Sequence, residues 1–173
     1  MRVRLAGVGA AEVSAPLAGS SVDGVDVRLR VRLAGAGAEP SVCTGALELG
    51  AAGLLKGSGA ATHWASMEFL EAFGATPVNK RVCIDRNRIT GGGVTAGIDF
   101  GLLLAEVLSD RMTAEKIQLY MEYIPEPPFT AGSPDTAPPA VVKEFRSYVE
   151  GMLKRRGEAV SRAAQKLSLP AAR

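Results

Sequence analysis

The stretch SVCTGALELG, residues 41–50, sets a cysteine between a short apolar approach and a run of small residues that reads as the start of a helix. A thiol at a strand-to-helix turn meets the first free N–H groups and the positive dipole end of that helix, which favour a thiolate. The same N–H groups can stabilise negative charge that develops on a bound substrate. Cys43 is therefore a candidate nucleophile. The competing reading is a core thiol, because free cysteine is among the most buried residue types. Spacing alone leaves both open.

Downstream, TGALELGAAGLLKG places Leu47, Ala51, Leu54 and Leu55 at helical spacing, with Gly57 as the stop, and predicts a buried helix after Cys43. In ASMEFLEAFG, Ser66 is the expected cap, Met67, Leu70 and Phe73 the apolar stripe, and Gly74 the end. KRVCIDRNRITGG predicts two short strands around the polar turn Asp85, Arg86, Asn87. The glycine-rich GGGVTAGIDFGLLLAEVL opens a helix that is apolar nearly all round and is expected to be buried. Two amphipathic helices follow. One carries Ile117, Tyr120, Met121 and Ile124 on one face; the other carries Val141, Val142, Phe145, Tyr148, Val149, Met152 and Leu153. A proline-rich loop, PEPPFTAGSPDTAPP, joins them.

Upstream the character changes. Residues 1–40 contain no aromatic residue and no Ile, Lys, Asn, Gln, Thr, His or Cys. Within them VDVRLRVRL alternates Val25, Val27, Leu29, Val31 and Leu33 with Asp26, Arg28, Arg30 and Arg32, the period of a half-buried strand in an edge hairpin. AGAGAEP then reads as a small-residue linker in which Pro40 biases Glu39 toward extended backbone. The expected organisation is an atypical segment over 1–40 and a domain over 41–173.

The totals bound the rest. The chain has 173 residues, 47% of them hydrophobic and 22% charged, which is the balance of one globular domain. A net charge of +2 does not by itself argue for nucleic acid or an anionic membrane. FGLLLAEVL, the longest strongly apolar run, falls short of a membrane span. With two cysteines and no signal-type N-terminus, a reducing cytoplasm is the expected location. Cys83, in RVCI, reads as a core thiol. His63 is the single histidine, and is either a general base toward Cys43 or a hydrogen-bonded structural residue. One histidine and two distant cysteines make no metal ligand set. TGGGVTAG lacks the Lys-Ser/Thr pair of a phosphate loop and reads as a tight lead into a helix. The basic segment from Lys143 to Arg173 reads as a solvated helix face.

Four segments, SVCTGALELGAAGLLKG, AATHW, DRNRITGGGVTAGIDFGLLLAEVL and IQLYMEYIPEPPFTAGSP, together resemble the C-terminal half of the ThiJ/PfpI (DJ-1/PfpI) superfamily, most closely its isonitrile hydratase branch. The resemblance runs from Ser41 to about Pro139. It implies an α/β fold of the class-I glutamine amidotransferase-like, flavodoxin-like type, with a doubly wound sheet. It implies that Cys43 is the nucleophile of a CTG elbow and that Thr44 takes part in catalysis, with Gly45 and His63 as substrate-binding positions. Peptidase-like members carry histidine directly after the cysteine, so Thr44 speaks against a protease. The implied reaction adds water to an isonitrile carbon and releases an N-substituted formamide, with a small-molecule substrate and no metal or organic cofactor.

The family pattern places on the order of a hundred residues before the elbow, as the first units of the doubly wound sheet. Here 42 residues precede it, so a sheet truncated at its N-terminal units is expected, with AGAGAEPSV in place of the strand that feeds Cys43. The family's acid is an upstream carboxylate; Glu12, Asp23, Asp26 and Glu39 are the upstream acids here. Exposed apolar faces on the remaining sheet and on the helix at 44–56 predict a homodimer or looser self-association. Two other readings stay open: a non-catalytic remnant or ligand-sensing module, and a thiol enzyme acting on a carbonyl compound or peroxide.

Overall fold

The computed structural model describes residues 39–168. The hairpin expected at 25–33 and the acids Glu12, Asp23 and Asp26 lie outside them. Three strands form the principal sheet, in the order β1 (Glu39–Val42), β5 (Arg88–Gly91), β4 (Val82–Asp85). β1 runs parallel to β5, with Val42 opposite Gly91, and β4 runs antiparallel to it, with Asp85 opposite Arg88. The β4–β5 connection is a two-residue turn in which Arg86 takes a left-handed φ of 57°. β2 (Gly59–Ala60) and β3 (Thr76–Pro77) pair in parallel as a second, small sheet.

The two-residue period of the strands sorts side chains onto two faces. Val42, Val82, Ile84 and Ile89 pack with Phe100, Leu103, Leu104 and Val107 of α2 (Ala96–Leu108). Thr90 points to the other face, where its Oγ1 accepts the N–H of Ala61 at 2.8 Å. On that side a second core joins Ala46 and Leu47 of α1 (Gly45–Ala51), Leu55, Ala60, Leu70 and Phe73 of a 3-10 helix (Trp64–Phe73), and Val160 of α4 (Pro139–Ser168). α3 (Arg111–Tyr120) packs beside α2 and is capped by Asp110, whose Oδ1 accepts the N–H of Thr113 at 2.7 Å. The result is an α/β architecture with a partly parallel sheet, as the residue pattern and the resemblance implied.

Several local expectations need correction. The strand thought to be replaced by AGAGAEPSV is present as β1, because a parallel ladder needs main-chain groups and not particular side chains. Pro40 has no N–H to give, which suits a strand at the edge of the three-stranded array. α1 ends at Ala51 rather than Gly57, since Gly53 and Gly57 both turn left-handed (φ 76° and 69°) and the chain breaks into turns. The helix at 44–56 is not an exposed apolar face: Ala46, Leu47 and Leu55 are covered by the 3-10 helix and α4. Nor is α2 buried all round, since Leu102, Leu103 and Leu104 are half-buried and Leu108 is exposed. Further apolar side chains are left in solvent at Val94 and on and after α3, where Leu119, Tyr120 and Ile124 are all exposed. α4 runs past Leu153 and buries Val149 and Val160, while Tyr148 is exposed.

Candidate active site at the β1–α1 elbow

Cys43 sits between β1 and α1 with φ 56°, in the left-handed region that a residue with a Cβ seldom adopts. A conformation of that kind costs on the order of 1–3 kcal/mol and persists only where neighbouring groups over-determine it. The neighbours here are explicit. The N–H of Cys43 donates to the carbonyls of Gly91 (3.1 Å) and Gly92 (2.9 Å). Its carbonyl accepts the hydroxyl of Thr62 at 2.7 Å. Both peptide groups flanking the α-carbon are thus held from outside, one by the end of β5 and one by the loop after β2. Cys43 is half-buried as a residue, in contrast with Cys83 on β4, which is buried and whose thiol is pushed up in pKa chiefly by that burial.

Thr44 is the N-cap residue of α1, yet its side chain makes no capping hydrogen bond. Its hydroxyl is consequently not committed to closing the helix, as a capping threonine's would be. Gly45 opens α1, and a Cβ there would lie 3.5 Å from the Cβ of Ser41, so the two elements approach closely at the turn.

His63 caps the 3-10 helix, a role expected for Ser66: its Nδ1 accepts the N–H of Ala65 at 3.2 Å. That assigns the proton of the neutral ring to Nε2. Burial, followed by the positive charge of Arg156, holds the imidazole below its ordinary pKa of 6.5. The ring also lies against the glycine turn, where a Cβ on Gly93 would meet His63 Cδ2 at 3.4 Å. His63 therefore shares the wall of the elbow through Gly93 and through its neighbour Thr62, with Nδ1 occupied by its own helix. Ser66 is fully buried and accepts from Arg156 Nη1 at 2.8 Å, which ties α4 to the 3-10 helix.

Of the upstream acids, only Glu39 falls within the described residues, at the start of β1. Among those residues no group of three or more His, Cys, Asp or Glu side chains is placed to hold a metal ion, and no helix is long and apolar enough to cross a membrane. Three residues at the elbow escaped the sequence reading: Thr62, Gly91 and Gly92. The glycine run does lead into a helix, but its carbonyls also anchor Cys43. The THW context drew attention to the histidine when the preceding hydroxyl is the group that contacts the cysteine.

The candidate site is thus a thiol at a left-handed strand-to-helix turn, backed by a glycine turn and a His-bearing loop. Residues 32–107 match the DJ-1/PfpI family. The chain is 57% identical over 129 residues to isonitrile hydratase from Pseudomonas putida, an alignment covering 75% of this chain and 57% of that protein. It is 36% identical over 85 residues to protein DJ-1 homolog A from Arabidopsis thaliana, covering 49% of this chain and 22% of that one. Among solved structures, a ThiJ/PfpI family protein from Pseudomonas syringae superposes with a TM-score of 0.68 at 44% identity, over 83% of this chain and 57% of its own. The chain thus spans a little over half the length of both Pseudomonas proteins.

Proposed function

We propose that the chain carries the nucleophilic half of an isonitrile hydratase-type site, with Cys43 as the nucleophile. The observation that carries this reading is the Cys43 backbone, held left-handed at the β1–α1 turn by Gly91, Gly92 and Thr62. The identity to a hydratase over 129 residues supports the substrate class. In the proposed reaction the Cys43 sulfur bonds to the terminal isonitrile carbon, and the thiol proton ends on that carbon, giving a thioimidate R–N=CH–S. Water then adds to the same carbon, and one of its protons goes to nitrogen. The C–S bond breaks, the last proton returns to sulfur, and R–NH–CHO leaves. Thr44 supplies a hydroxyl beside the sulfur, and its N–H faces the charge that develops at the reacting centre. His63, neutral near pH 7 and with Nε2–H unengaged by Ala65, is a donor toward a bound molecule from the adjoining loop. The scheme uses no metal or organic cofactor.

The test is incubation with n-butyl isonitrile and detection of N-butylformamide by NMR. Wild type is expected to form the formamide, and Cys43→Ala to form none while Cys83→Ala retains turnover. A thioimidate trapped on Cys43 would appear in the intact mass as the mass of one isonitrile. Formamide production by Cys43→Ala equal to that of wild type would overturn the assignment.

A further inference from the structure

We infer that Thr62 is a positioning residue of the elbow: its hydroxyl, by holding the Cys43 carbonyl, fixes the direction of the Thr44 N–H. A trans peptide group is planar, and its C=O and N–H point to opposite sides. The described backbone contains no cis bond, so the hydrogen bond from Thr62 Oγ1 to Cys43 O at 2.7 Å aims the Thr44 N–H away from Thr62. That N–H belongs to the N-cap residue of α1, where donors have no partner within the helix. Thr62 is itself firmly seated. It is 3% exposed, and the residue before it is anchored by the bond from Ala61 N to Thr90 Oγ1 on β5. The other contact to the Cys43 carbonyl, from the N–H of Ala46, is long at 3.5 Å, so the hydroxyl is the principal restraint on that peptide plane. The N-terminal side of Cys43 is held separately by Gly91 and Gly92. Removing the Thr62 hydroxyl therefore frees the Cys43–Thr44 peptide alone and leaves the strand pairing in place.

This rests on the proposed use of Cys43 for its catalytic consequence but not for its geometry, and the two are separable by experiment. Cys43–Thr44 is the only Cys-Thr pair in the chain. Isotopic labelling of cysteine carbonyl carbons and threonine amide nitrogens therefore gives a single coupled NMR peak that reports on this peptide group. Thr62→Val, which keeps the shape and loses the hydroxyl, is expected to move that peak, while Thr62→Ser keeps it near its wild-type position. In n-butyl isonitrile turnover, Thr62→Val is expected to lower kcat by about tenfold to a hundredfold with KM little changed, less than the roughly hundredfold to thousandfold lost when an aligned donor is removed outright, because the Thr44 N–H is misdirected and not deleted. Thr62→Ser is expected to recover most of that loss. Should the valine variant not fold, Thr62→Ala serves in its place. An unmoved peak in the hydroxyl-free variant overturns the inference. So does a moved peak with unchanged kcat, or equal loss in the serine and valine variants. If wild type shows no turnover, the proposed function fails, and the peak position alone decides whether Thr62 orients the peptide.

Discussion

Replacing Gly50 by alanine should unsettle the helix that carries the elbow. Gly50 lies within α1 against Phe73 of the 3-10 helix, and a Cβ built there would sit 2.3 Å from Phe73 Cδ2, 2.7 Å from Cγ and 3.0 Å from Cε2. Carbon atoms in good contact are about 3.5–4.0 Å apart, so the ring must retreat by roughly an ångström or more. It has little room, since Phe73 is 5% exposed and packs in one cluster with Ala46, Leu47, Leu55 and Leu70. Overpacking of a filled core costs about 1–3 kcal/mol. Against it stands the helix preference of alanine over glycine, about 0.5–1 kcal/mol in the opposite sense. The net expectation is a loss of about 1–2 kcal/mol, dominated by the clash. Urea unfolding measures it as a lower midpoint with unchanged slope. A double-mutant cycle with Phe73→Leu assigns the cause, because the smaller side chain should recover part of the loss only in the Gly50→Ala background. A midpoint at or above wild type for Gly50→Ala would refute the packing argument, since propensity would then be the only operative effect.

Two further predictions concern the wall of the elbow. The folded-state pKa of His63 is depressed, so between that value and the ordinary 6.5 the unfolded chain binds more protons than the folded one. Stability should therefore fall as pH drops from 6.5 through the lowered value and stop changing on this account below it. His63→Gln should lack that component, and urea midpoints that follow the same pH course in both proteins would exclude the histidine as its source. Ser66→Ala leaves the Arg156 guanidinium without its 2.8 Å acceptor and should cost about 1–2 kcal/mol, read as a lower Tm. An unchanged Tm would mean that this bond contributes nothing to docking α4.

Much of the site was legible in the chain itself. SVCTGALELG carries its own turn, because an apolar approach, a cysteine and a small-residue helix start are neighbours in sequence. DRN between two β-rich runs likewise encodes its hairpin locally, although Asp85, read as part of the turn, is the last residue of β4 and only Arg86 and Asn87 make the turn. A strand ending at Cys43 was expected, but not that EPSV would form it. EPSV has little β character of its own and is a strand because β5 offers it a complete row of main-chain partners. The two halves of the elbow's anchorage are also long-range: Gly91 and Gly92 lie nearly fifty residues beyond Cys43, and Thr62 nineteen.

Short-range elements, and the place of Cys43 at the entry to a helix, were therefore written in the chain alone, since both depend on residues within one turn of each other. The tertiary structure decided the conformation of that cysteine and the task of its neighbours. It made His63 a helix cap with one nitrogen occupied, made Thr62 the restraint on the Cys43 peptide, and set Gly50 of α1 against Phe73. The physical reason is the same in each case. A hydrogen bond or a close contact between distant segments is set by where the chain places main-chain groups and ring faces in space, and no spacing rule along the sequence encodes that placement.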